Sequence, residues 1–252
     1  MKRSERHRLK ENEISETLRQ TLERFSQYGR GLTAGLIAVL VVLAAAGGYW
    51  GWRSRTEARA RELLSSALTI AEAPVVPPSA QPPGDASAQK PPAPPAGSYP
   101  SARARAEAML PRVMEVANTY PSASAGLAAR YYAATTLAAL GRPAEAIARF
   151  QEVVDRGGRD GFYGQMAQLG IVDADIEGGR YDQAIASCQE LINRKDEHLP
   201  LDAILQLLGR AYVAAGKAAD ATQTFNRIVK EFPASAYSAD AKRELESLSN
   251  PR

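Results

Sequence analysis

Three segments of the chain repeat one order of residues, and this limits the fold more than any other feature. Gly141, Ala146 and Phe150 recur as Gly179, Ala184 and Cys188, and again as Gly216, Ala221 and Phe225. The alanines are spaced by 38 and 37 residues. Each position has a physical reason. Glycine ends a helix, where a left-handed backbone costs it nothing. Alanine lets two helices approach closely, and the larger residue one turn later fills the gap against the next helix pair. Apolar positions continue at Val153 and Val154, Leu191 and Ile192, and Ile228 and Val229. The pattern predicts helical hairpins stacked side by side.

The last unit carries Leu205, Leu208, Gly209, Tyr212, Ala221, Phe225 and Pro233. These spacings resemble the tetratricopeptide repeat, with Leu205 where that family favours tryptophan. The middle unit departs from the pattern, with Val172 for glycine, Asp175 for tyrosine and Cys188 for phenylalanine. The period is longer than the family's, which predicts longer turns near residues 156–161 and 194–200. Tyr120-Pro121-Ser122-Ala123-Ser124 echoes Phe232-Pro233-Ala234-Ser235-Ala236. Each would close one hairpin and open the next helix, so 234–248 reads as a terminal capping helix. The resemblance implies an all-α repeat part, a tetratricopeptide-like α-solenoid of helical hairpins, and a long uncharged run before it adds a single N-terminal transmembrane helix to the expected all-α chain.

The membrane segment lies between Arg30 and Arg53, 22 residues without a charge. As a helix it would extend about 33 Å, enough for a hydrocarbon core of about 30 Å. Tyr49, Trp50 and Trp52 gather at one end, the depth that amphipathic rings prefer. Ala44-Ala45-Ala46 imitates a signal cleavage site, but thirty residues precede the apolar run, so we expect an anchor. Residues 1–30 hold eight Lys/Arg against five Asp/Glu, whereas 101–252 hold eighteen against nineteen. The basic character therefore belongs to the tail, which favours an N-terminus inside and a soluble part outside. Arg53, Arg55, Arg59 and Arg61 follow the span and weaken that bias. The near-neutral soluble part offers no concentrated positive face for nucleic acid.

The expected organisation is a basic cytoplasmic tail over 1–30, a transmembrane helix over 31–52 and a helix over 53–73. A Pro/Ala-rich insertion over 74–100 and the repeat domain over 101–252 complete it. Ile14, Leu18, Leu22 and Phe25 share a helical face in the tail. The insertion holds ten of the sixteen prolines and is expected to form neither helix nor ladder. Residues 54–73 and 101–119 both read as helices, the second with Pro111 as a candidate kink. They would form one hairpin with an expanded loop, since loop entropy grows only logarithmically with length.

The layout also resembles bacterial inner-membrane proteins with a basic tail, one span and a periplasmic tetratricopeptide-like domain. The family of the ancillary Sec translocon subunit is the named case, and Arg8-Leu9-Lys10-Glu11-Asn12-Glu13 is like its start. That likeness implies an inner-membrane adaptor binding protein partners, either translocon or envelope components or newly exported chains. A self-associating scaffold of envelope assembly or cell division is the alternative. In such solenoids the first helix of each hairpin lines a concave face. Carrying the family's groove positions across gives Tyr131, Thr135, Asp173, Gln206 and Arg210, with Tyr131 and Arg210 as the anchors.

No chemistry is expected. Cys188, the only cysteine, sits at a core position, and its redox compartment stays open. His7 and His198 have no metal-ligand spacing, and Asp173, Asp175 and Glu177 alternate around a helix. No phosphate loop, nucleophile elbow or zinc pattern occurs. We therefore expect no cofactor, no small-molecule substrate and no enzyme activity.

Overall fold

A computed structural model of the chain describes residues 29–77, 95–194 and 199–250. The stripe of Ile14, Leu18, Leu22 and Phe25, the centre of the proline-rich stretch, and both histidines lie outside the described residues. Every regular element among the described residues is a helix, as the repeat pattern predicts.

The helices are α1 (Gly29–Glu72), α2 (Ala102–Thr119), α3 (Ser124–Ala139), α4 (Pro143–Gly157) and α5 (Phe162–Glu177), then α6 (Tyr181–Asn193), α7 (Leu201–Ala214), α8 (Ala218–Glu231) and α9 (Ser238–Ser249). Residues 1–55 and 56–252 form two compact units. In the first unit, α1 carries the apolar run with its side chains uncovered; Leu36 to Leu43 and Trp50 are exposed. None of its most apolar window is buried among the described residues. By length and composition this segment is able to cross a membrane. The sequence separates 31–52 from 53–73, yet the 44 residues of α1 form one helix without a break. Nothing between Trp52 and Thr56 is a helix breaker, so the backbone has no reason to stop.

In the second unit the helices pair as hairpins. Ala60, Leu64 and Ala67 of α1 pack against Met109, Leu110, Val113 and Val116 of α2, continuous with the core of α3 and α4. Two ties hold this start. Arg105 donates to the carbonyl of Ala73 at 3.0 Å, and the backbone N–H of Ser124 donates to Glu57 at 3.0 Å. Helix α2 runs through Pro111 unbroken. The ends of the proline-rich stretch do pair: Val76 N–H donates to Tyr99 O, and Tyr99 N–H to Pro74 O, both at 2.9 Å. This is one isolated bridge, Val75 with Tyr99, and no strand; Val76 and Tyr99, unlike proline, keep the donors it uses.

The turns inside the three later hairpins are copies. Gly141, Gly179 and Gly216 have φ of 73°, 76° and 72°. In each, the next residue's N–H reaches back five positions: Arg142 to Leu137, Arg180 to Asp175 and Lys217 to Tyr212, at 2.8–3.0 Å. Helix C-terminal carbonyls are thus satisfied by a left-handed glycine, which no other residue adopts as cheaply. The capping helix starts later than the expected 234, at Ser238. Residues 232–237 are used in two successive turns, with Ser235 N–H on Phe232 O and Ser238 N–H on Ser235 O.

The core explains the irregular middle unit. Phe225 is fully buried, and a Cβ on Gly209 would fall 2.5 Å from its ring. The equivalent pair in the middle hairpin is Val172 and Cys188, both buried in one cluster. A small residue facing a large one has been exchanged for two of intermediate size. Close packing tolerates such volume-conserving swaps.

Candidate functional site: a groove across the first helices

The first helices of three hairpins, α3, α5 and α7, lie side by side and together line a concavity of ≈ 680 Å³. All five positions named from sequence border it: Tyr131 and Thr135 from α3, Asp173 from α5, Gln206 and Arg210 from α7. Spacings of four residues within α3 and α7 keep each pair on one helical face. Ala138, Ala139, Gly170 and Ala203 also border it, and their small side chains leave the floor open.

One end of the groove is aromatic. The Tyr131 ring contacts Tyr132, Phe150 and Tyr163, with centroids 5.8, 5.8 and 5.6 Å apart. Phe162 stacks edge-on against Tyr163 at 5.3 Å while remaining 71% exposed. Burial, then the neighbouring phenols, pushes the Tyr131 hydroxyl above its ordinary pKa, so it stays neutral and serves as ring surface and hydrogen-bonding group. Thr135 Oγ1 donates to Tyr132 O at 3.0 Å and is engaged with its own helix.

The other end is charged. Arg210 Nη1 donates to Asp173 Oδ1 at 2.6 Å, and Nη2 reaches Glu177 Oε1 at 3.4 Å. The sequence reading scattered Asp173, Asp175 and Glu177 around a helix. In fact Asp173 and Glu177 stand one turn apart and share a face and a partner, as an i,i+4 pair must. Arg210, expected as an anchor, is held by two carboxylates. Between the two ends the Oε1 of Gln206 is buried with no protein hydrogen-bond partner.

Asp175 turns away from the groove. It is completely buried and accepts from Arg180 Nε at 2.6 Å, while its backbone carbonyl accepts the Arg180 N–H at 2.8 Å. Where the repeat pattern has a ring, the middle unit has an ion pair that clasps its own glycine turn. Cys188 is buried, and burial pushes its thiol up to about 12.

Sequence reasoning missed Glu177, Met166, Phe162 and Tyr163. The signal was present for the first three: with Gly170 and Asp173 they fall on one stripe at helical spacing. Only the neighbouring helices show that Met166, Gly170, Asp173 and Glu177 of this stripe border the groove, with Phe162 one turn beyond its lining.

Residues 131–200 and residues 175–245 match two family models, each described as tetratricopeptide repeat. A solved structure of kinesin-light-chain TPR-like repeats from Podosopora anserina is 16% identical, with a TM-score of 0.45. The alignment covers 57% of this chain and 85% of that one. No curated protein matches the chain. Residues 131–245 are therefore similar to tetratricopeptide repeats, a protein-interaction architecture, in a chain whose N-terminal helix is apolar enough to cross a membrane.

Proposed function

We propose that the protein is a membrane-tethered adaptor that binds segments of other proteins in the groove of α3, α5 and α7. The observation that carries this reading is the convergence of Tyr131, Thr135, Asp173, Gln206 and Arg210 on one open concavity. Its rigid helical walls, small-residue floor and mixed aromatic and charged ends are what a peptide-binding surface needs. The exposed apolar part of α1 supports the tether.

The finer reading places α1 in a bacterial inner membrane as a single pass, with the basic tail cytoplasmic and the helical domain periplasmic. Partners are then components of the export translocon or the envelope, or newly exported chains. The expected divisions at 1–30, 31–52, 53–73, 74–100 and 101–252 belong to this proposal. The function is binding, with no chemical step.

A photo-activated cross-linker at Gln206 in the full-length protein, irradiated in native membranes, tests the groove. Recovery of one or a few defined membrane or exported proteins supports it. Labelling of no protein, or equal labelling from Lys242 on α9, overturns it. Reporter fusion at residue 252 tests the orientation: a cytoplasmic readout removes the periplasmic partners while leaving the groove intact.

A further inference from the structure

The groove has a chemical polarity, and this inference rests on its being a peptide site. On α5 the stripe runs Phe162, Met166, Gly170, Asp173, Glu177, from two exposed apolar side chains to two carboxylates. At about 1.5 Å rise per residue, Met166 and Asp173 are about 10 Å apart along the axis, and Phe162 and Glu177 about 22 Å.

Charge decides what the acidic end takes. Among the described residues bordering the groove, Arg210 is the one cation, against Asp173 and Glu177. Both its terminal nitrogens already face those carboxylates. The acids are also the more exposed partners, at 45% and 60% against 37% for Arg210. The charge presented to an incoming chain is therefore negative. A carboxylate entering here must displace Asp173 from Arg210 and then lie beside two like charges, whereas an ammonium or guanidinium meets unsatisfied acceptor sites. At the other end Met166 borders the groove, Phe162 stands one turn beyond it, and the Tyr163 ring joins Phe162 to Tyr131 in one aromatic cluster.

We propose that the groove selects a peptide segment in which a large apolar side chain and one or two Lys or Arg stand apart along the chain. In an extended chain rising about 3.3 Å per residue, the separation is about three to seven residues. Acidic segments and free C-terminal carboxylates are rejected.

Fluorescence anisotropy on the full-length protein in detergent micelles tests this, using labelled nine-residue peptides with blocked ends. One carries Leu-Phe and, five residues on, Lys-Lys; a second replaces both lysines with Glu; a third adds a free C-terminus to the second. The first is expected to bind at least about tenfold more tightly than the others, the equivalent of one well-placed charged contact. Its affinity should fall about tenfold in Asp173→Asn/Glu177→Gln, by a similar factor in Phe162→Ala/Met166→Ala, and on raising salt. Phe162, Met166 and Glu177 are exposed and Asp173 is half-buried, and circular dichroism checks that the helices persist. Equal or tighter binding of the acidic peptides, or unchanged affinity in the Asn/Gln variant, overturns the selectivity. If acidic peptides bind and Gln206→Trp abolishes that binding, the groove reading stands and this inference falls. If no peptide binds, both fall.

Discussion

Arg210 Nη1 stands 2.6 Å from Asp173 Oδ1, a bond that joins the first helices of two successive hairpins 37 positions apart in sequence. It makes the most basic residue of the groove electrostatically silent. It also places the exposed charge on the opposite side of the ledger from what an arginine in the sequence suggests.

Because both partners are more than a third exposed, this pair contributes little to stability. Arg210→Ala should cost less than about 1 kcal/mol and lower the apparent Tm by no more than about 4 °C. Thermal circular dichroism measures it. A much larger loss would mean that the pair organises the solenoid and does not merely set its charge.

Gly209 should tolerate no side chain while Phe225 lies beneath it. Gly209→Ala puts a carbon 2.5 Å from the ring and is expected to cost about 1–3 kcal/mol in urea unfolding. The double variant Gly209→Val/Phe225→Cys copies the Val172 and Cys188 pair and should recover part of that loss. If the double variant is no better than the sum of its single changes, the size exchange does not explain the middle hairpin.

Cys188 should be inert in the folded protein. With the thiol buried and pushed up to about 12, almost no thiolate exists at pH 8, and reagents cannot reach it. A maleimide at pH 8 is expected to leave the native protein unlabelled over hours and to label it within minutes in denaturant. Rapid labelling of the native protein would show that the middle hairpin, α5 and α6, opens locally.

Glu57 should make the start of the solenoid sensitive to acid. Burial raises its pKa, but the hydrogen bonds from Ser124 and Ala125 and the charge of Arg61 outweigh it, so the folded value lies below 4.5. A depressed carboxylate stabilises fully above its unfolded pKa, and that stability is lost as pH falls through the folded value. Glu57→Gln is therefore expected to cost about 1 kcal/mol at pH 7, and the difference from the natural protein should vanish in strong acid. Unfolding curves at several pH values check this; a gap that does not close at low pH would assign the loss to packing.

Much of the architecture was legible because it is local. Gly141, Gly179 and Gly216 announce helix ends through a backbone conformation that side chains resist, and the alanines after them mark close helix approach. The long uncharged run announces itself by composition. Other features were not local. The later start of α9 depends on which hydrogen bonds compete at the boundary. The bridge between Val75 and Tyr99 depends on where two helices hold the ends of a loop.

The site divides in the same way. The five groove positions could be named in advance because the resemblance to tetratricopeptide repeats supplies them, and the helical period keeps each pair on one face. Their chemistry could not be. Whether Arg210 offers a cation or cancels two acids depends on the lateral distance between α5 and α7, and a linear chain carries no measure of that distance. Sequence by itself determined the helices, their turns and the face each one buries, since these follow from backbone conformation and the side-chain period. Tertiary packing alone decided which charges meet, which rings stack and which sign the groove presents, because those interactions fall off within a few ångströms between residues far apart in the chain.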